Sequence, residues 1–224
     1  MELEVTLIED EFYSFISQKD FPCVGAKTAL TRNNIHLSQY GDLLSSDSDV
    51  ELLANLYEFI ENFDINTDMY SSFVAVFDSS RDLSEVCFEK ALWQKLQALH
   101  DLDSKLYPWD KNVSANPADS DFSFSLGQHA FFIIGLNPYS SRKSRQFAYP
   151  AIVFNLHRQF EQLRRDGKFE QFRDHIRQRD EQYSGSKNPM LASYGEDSEA
   201  LQYSGRHIED GWQCPFSQKK GATI

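Results

Sequence analysis

Cysteine is scarce in this chain: three in 224 residues, at Cys23, Cys87 and Cys214. An odd and small number argues against a disulfide framework. Neither a CxxC nor an HExxH spacing occurs, so the standard zinc signatures are excluded. P-loop, GxGxxG and GxSxG patterns are missing as well, which removes the usual nucleotide cradles and the hydrolase elbow. Ten Gly and seven Pro are too few for a collagen-like or linker-dominated chain. No apolar run approaches the roughly 18–20 residues of a membrane span. The opening MELEVTLIEDEFYSF has no basic stretch ahead of an apolar one, so the expectation is a cytoplasmic protein without an export or transit leader. Basic residues are also in short supply. With 22 Lys/Arg against 34 Asp/Glu the net charge is −12, which speaks against general nucleic-acid binding.

What is present is a globular composition, 41% hydrophobic and 14% aromatic. Helical spacing of apolar residues predicts helices over 5–19 (Leu7, Phe12, Phe15, Ile16), 50–63 behind an Asp49 cap, and 83–99 (Val86, Leu92, Trp93, Leu96). Two more are predicted after Asn155, read as a cap, with Gly167 as the stop between them. Strands are expected at 34–40, 72–78 and 151–154, and FSFSLG with HAFFIIGL reads as a hairpin turning at Gly127-Gln128. From Ser184 the chain is rich in Gly, Ser and Asn yet keeps Tyr194, Tyr203, Trp212 and Phe216. Aromatics at that density predict an ordered, irregular wrap rather than a disordered tail. The expected architecture is α+β: a single domain over 1–224, with a small, mostly antiparallel sheet flanked by helices.

Charge is unevenly distributed. Residues 1–137 carry 8 Lys/Arg against 23 Asp/Glu, a balance of −15, and residues 138–224 carry a balance of +3. Arg142 and Arg145, in the SSRKSR loop between two strands, suit a carboxylate, because a guanidinium can pair with it through two N–H groups. His157, at the start of a helix and three residues from Phe160, has the placement of a metal or haem ligand, with His129 as the alternative. The plainer reading of His157 is a core histidine bonded to backbone. Cys23 and Cys214 sit in the related tripeptides FPC and CPF, as thiolate ligands or as small buried hydrophobes. Gln202, Tyr203 and Arg206 lie in a dense polar segment, SEALQYSGR, that lines a pocket or satisfies a buried loop.

The string NPYSSRKSRQFAYPAIVFNLHRQFEQLRRDGKFEQFRDHIRQRD, the later NPMLASYGEDSEALQYSGR, the closing WQCPF and the early FPCVGAKTAL together resemble the YqcI/YcgG family. The likeness covers about residues 21–45 and 122–216. Characterised members are haem-dependent oxygenases that hydroxylate nitrogen, notably in guanidines and amino acids. The resemblance therefore implies haem b, O2 as co-substrate, and two electrons from an external donor, a separate reductase. It implies His157 as the axial ligand, Arg142 and Arg145 on the haem propionates, and Gln202, Tyr203 and Arg206 at the distal or substrate pocket. Cys23 and Cys214 become a spatial pair, or one of them a thiolate ligand. The acidic N-terminal part would attract a cationic small-molecule substrate. No nucleic acid or membrane partner is implied, and a homodimer is compatible. Family members often carry His where this chain has Asn137. A non-catalytic haem-binding or haem-sensing protein is the alternative function, and a cofactor-free interaction module a third.

Overall fold

The computed structural model describes residues 2–188, 190 and 197–219. The elements are α1 (Glu2–Ser17), α2 (Val24–Thr31), β1 (Ile35–Tyr40), α3 (Asp49–Asn62), β2 (Ser72–Phe77), α4 (Glu85–Asp103), β3 (Phe124–Leu126), β4 (His129–Leu136), β5 (Ala151–Leu156), α5 (His157–Arg165) and α6 (Phe169–Ser184). Short 3-10 turns stand at Lys143–Arg145 and Glu199–Gln202. The five strands form one sheet in the order β1-β2-β5-β4-β3. β1 and β2 are parallel and the other three pairings antiparallel, so the α+β expectation is met.

Side chains alternate across a strand, and here the alternation feeds two apolar layers. Phe73, Ala75 and Phe77 of β2, Ile152, Phe154 and Leu156 of β5, and Phe131 and Ile133 of β4 share one core with α3, α4 and the C-terminal wrap. Val74 and Val76, Ala151 and Val153, and Leu136 share the other with α1, α2 and the Phe147–Tyr149 segment. The β3–β4 hairpin turns where expected: Gly127 and Gln128 both have positive φ, 58° and 65°, which is what a two-residue turn between twisted strands requires.

Several local expectations shift. Asn155 is not a cap. β5 continues through Leu156 because Phe131 of β4 pairs with Leu156, and the Asn155 amide accepts from Ser72 Oγ at 2.7 Å and donates to the Phe132 carbonyl at 3.2 Å. α5 therefore starts at His157 with no side-chain cap. Ser48, not Asp49, occupies the cap position of α3. Asp49 instead turns inward and pairs with the buried Lys95. Leu7 and Val86 face solvent, while Ile8 takes the inward place on α1. α2 was not anticipated. It is capped by the Cys23 sulfur, which accepts the Ala26 N–H at 3.3 Å. No helix among the described residues is long and apolar enough to cross a membrane.

Candidate active site

One face of the sheet carries a cavity of about 260 Å3 between α1, α2, α5 and α6. Val74, Phe132, Ile134, Leu136 and Val153 form its floor, and Phe12, Phe15, Phe160 and Phe172 stand around it. Two polar groups interrupt the apolar wall. Asn155 and Gln159 are tied to Ser72 and to the Ser71 carbonyl. Cys23, Ser144, Arg145, Asp180 and Gln202 make up the other. Two larger depressions are open to solvent on the far side of the molecule: one rimmed by Asp82, Glu85, Arg206 and Glu209, the other by Trp212 and Cys214. The more sheltered, mostly apolar cavity with a few convergent polar groups is the better ligand site.

Arg145 reaches over Gly205 and donates from Nη1 to the Gly135 carbonyl at 3.0 Å and from Nη2 to the Gln202 carbonyl at 3.4 Å. Burial lowers its pKa to about 10, and the Asp180 charge works against that. Asp180 is held by Arg142 Nη2 at 2.5 Å and by Ser144 Oγ at 2.7 Å. Burial pushes the Cys23 thiol up. The Ala26 and Gly25 N–H groups and the Arg145 charge oppose that rise.

The residues singled out from the sequence divide among three places. Cys23, Arg145 and Gln202 line the cavity. Arg142 stands behind it, committed to Asp180 and the Ser186 carbonyl, so it is not a second free cation for a propionate. His157 is turned away. Its Nε2 lies 3.0 Å from Glu199 Oε1 and 3.2 Å from Ser123 Oγ, and the residue is 5% exposed. Its Nδ1 lies 3.9 Å from Glu161 Oε1, and the residue is not on the cavity wall, so the structure does not bring the proposed axial ligand to this cavity. His129, half-buried at the start of β4, is not on the cavity wall either.

Tyr203 belongs to the opposite core. It stacks on Trp93 at 5.5 Å between centroids, and its hydroxyl accepts the Phe124 N–H. Burial and the Glu199 charge raise its pKa well above the ordinary value. Arg206 clamps the wrap onto α4 through Glu89 at 2.7 Å and also meets Glu209. Cys214 packs beside the core that holds Trp93 and Phe216, across the sheet from Cys23, and both cysteines are free, so the two do not pair. Burial pushes the Cys214 thiol up to about 12.

Sequence reasoning missed Asp180, Gln159 and Tyr70 as wall residues. The spacing 155–159, one strand residue and one helix residue straddling a β–α junction, was the available signal for Asn155 and Gln159.

A family model described as the YqcI/YcgG family matches residues 12–217. The chain belongs to that family. Bacillus subtilis (strain 168) has two similar proteins. One, named "Uncharacterized protein YcgG", is 28% identical over 210 residues, covering 89% of this chain and 82% of that protein. The other, named "Uncharacterized protein YqcI", is 26% identical over 213 residues, covering 91% and 83%. No solved structure matches the chain.

For this YqcI/YcgG protein the group to test against the cavity is haem. A haem needs an apolar slot, cationic or hydrogen-bonding partners for two carboxylates, and at least one donor to iron. The wall supplies all three kinds: the aromatic and aliphatic floor, Arg145 with Ser144 and Gln202, and the sulfur of Cys23. The sulfur and the one cation stand in a single cluster, however, so the wall offers no separate places for an iron and for two propionates. The free space lies just below the ~300–1,000 Å3 of pockets that enclose drug-sized ligands, so seating a macrocycle requires the α1–α2 and α6 walls to part. Among the described residues no group of three or more His, Cys, Asp or Glu is placed to hold a bare metal ion; a porphyrin needs only one donor.

Proposed function

We propose that this protein is a haem-dependent oxygenase that hydroxylates a nitrogen of a small amino-acid-like or guanidine-bearing molecule. The supporting observation is convergence. Cys23, Arg145, Asn155, Asp180 and Gln202, spread between residues 23 and 202, meet around one apolar cavity. They lie in the segments that carry the family likeness.

When bound, the haem would supply the activation of O2; two electrons from a separate reductase and two protons from solvent turn an N–H into N–OH and release the second oxygen atom as water. The chain does the rest. The Phe and Val wall excludes water, which strengthens the polar contacts inside. Arg145 offers a fixed cation for a carboxylate, its guanidinium anchored on two backbone carbonyls. Asp180 sets an anion beside it, its oxygens oriented by Arg142 and Ser144. The acidic N-terminal part draws cationic substrate toward the molecule.

The test is titration of the purified chain with haemin, followed by turnover with arginine and related amines under an electron supply. Saturable binding near one equivalent and O2-dependent N-hydroxylated product support the proposal. A haemin spectrum that stays that of free haemin at every chain concentration overturns it. The modest cavity volume favours a second reading, cofactor-free binding of a small apolar carboxylate on Arg145. Carboxylate binding by a chain that ignores haemin would establish that reading instead.

A further inference from the structure

Buried polar groups in folded proteins are paired, so the groups on a cavity wall that lack a partner in the chain describe what the cavity receives. Most of the polar wall is committed. Ser72 Oγ donates to the Asn155 amide, which donates in turn to the Phe132 carbonyl. Asp180 accepts from Arg142 and Ser144. Asn188 accepts the Met190 N–H. Three groups keep capacity. Arg145 donates to the Gly135 and Gln202 carbonyls, and a guanidinium has further N–H groups to give. The side-chain amide of Gln202, a residue 9% exposed, has no hydrogen-bond partner among the described residues. Gln159 is 3% exposed and donates from Nε2 to the Ser71 carbonyl at 2.8 Å. A carbonyl only accepts, so that bond fixes the amide's orientation and leaves Oε1 without a donor among the described residues.

The charges leave one cation over. Arg142 and Asp180 pair with each other, and Arg145 meets only carbonyls. One anionic group at that end completes the balance. The free acceptor stands at the other end of the floor. Arg145 is anchored at Gly135 of β4, and Asn155, joined to the Gln159 side through Ser72 and Ser71, at Phe132. Three strand residues span about 10 Å, the reach of one aromatic ring on a short chain. Arg145 and Asp180 are the charged side chains of the described wall, and both belong to the first end. A cation beside Gln159 would be buried without a counter-charge, so the donor that suits Oε1 is neutral.

We propose that this cavity is a site for an aromatic monocarboxylate bearing a neutral O–H or N–H donor. The carboxylate meets Arg145 and the Gln202 amide. The ring lies on the Phe132–Ile134 floor between Phe12 and Phe160, where aromatic packing favours it. The donor meets Gln159 Oε1. This inference rests on the carboxylate reading of the cavity, deepens it, and needs no haem.

The experiment is isothermal titration of the full chain with para-hydroxyphenylpropionate, phenylpropionate and para-ethylphenol. The first two differ by the donor, and the third lacks the carboxylate. The wild-type chain should bind para-hydroxyphenylpropionate about two- to tenfold more tightly than phenylpropionate, the worth of one hydrogen bond, and para-ethylphenol at least about tenfold more weakly than its acid counterpart. Gln159→Leu should bring the two acids level. Arg145→Met should weaken both by one factor and leave their ratio unchanged, which a general loss of structure would not do. Equal affinity for the two acids in the wild type, or a preference that survives Gln159→Leu, overturns the donor subsite and leaves the carboxylate reading standing. If neither acid binds, or para-ethylphenol binds as tightly as the acids, both fall. The wild-type comparison decides the subsite even where Gln159→Leu fails to fold, which circular dichroism will show.

Discussion

His157 and Glu199 lie forty-two residues apart in the chain and meet at 3.0 Å, Nε2 to Oε1, with both residues buried. Ser123 bonds to the same carboxylate at 2.7 Å. Together they fasten the 3-10 turn of the C-terminal wrap to the start of α5, across the edge of the sheet. The imidazole looks like a ligand in sequence because it begins a helix beside a buried strand. In three dimensions it is a strut.

Replacing His157 by Ala should therefore act on stability. Glu199 and Ser123 would lose a buried partner, and such losses cost roughly 3 kcal/mol. Urea unfolding of the variant is expected to show a lower midpoint with an unchanged slope. The wavelength of any haem band should stay where the wild type has it.

Arg145 is the cavity's cation, so its removal should act on ligand affinity. A charge-assisted hydrogen bond contributes about 1.5–3 kcal/mol, which corresponds to roughly ten- to hundredfold. Arg145→Met is expected to weaken haemin or carboxylate binding by about that factor, and Arg145→Lys by less. Isothermal titration measures both.

Gly205 supports that side chain from below. Its φ is +77°, and an added Cβ would come within 3.1 Å of Arg145 Cγ. Gly205→Ala should cost about 1 kcal/mol or more through backbone strain, and it should also weaken the same ligand by displacing the guanidinium. Thermal denaturation and titration, run together, separate the two effects.

His100 gives the stability a pH dependence. Burial lowers its pKa, the nearby Asp101 charge opposing the shift. His129 shifts the same way, through burial and then the Arg158 charge. As pH falls through the ordinary histidine value of ~6.5, the unfolded chain takes up protons that the folded chain refuses, so stability falls with pH below that point. His100 accepts the Lys219 N–H, so its protonation also loosens the wrap. His100→Gln keeps an acceptor at this position and should flatten part of the slope below about pH 6.5 in urea titrations.

Steering by the acidic N-terminal part should be sensitive to salt. The screening length shrinks from about 30 Å at 0.01 M to about 10 Å at 0.1 M. Affinity for arginine or another cationic probe is expected to fall over that range. A flat salt profile would remove the steering role.

Much of the scaffold could be read directly from residue order. The β3–β4 hairpin follows from alternating apolar residues around Gly127-Gln128, and α3 and α4 from apolar spacing that keeps Leu52, Leu56, Leu92 and Leu96 inside. The short α2 was harder. It has eight residues, a glycine second, and a cysteine as its cap, and it becomes stable only by packing against α1 and the sheet. Asn155 had the right residue type for a helix cap, but a strand partner claimed it first.

Local patterns determined the mixed fold, the family likeness and the polar residues worth watching, because periodicity, turn chemistry and charge are properties of neighbours in sequence. Which of those residues share a site was decided only when the sheet formed. Its two faces separate side chains that adjoin in the chain: Gln202 reaches the cavity while Tyr203 enters the opposite core. The same partition brings Cys23 to Arg145 and Asp180, more than a hundred residues further along the chain. Contacts of that range depend on the packing of whole layers, and no short stretch of sequence encodes them.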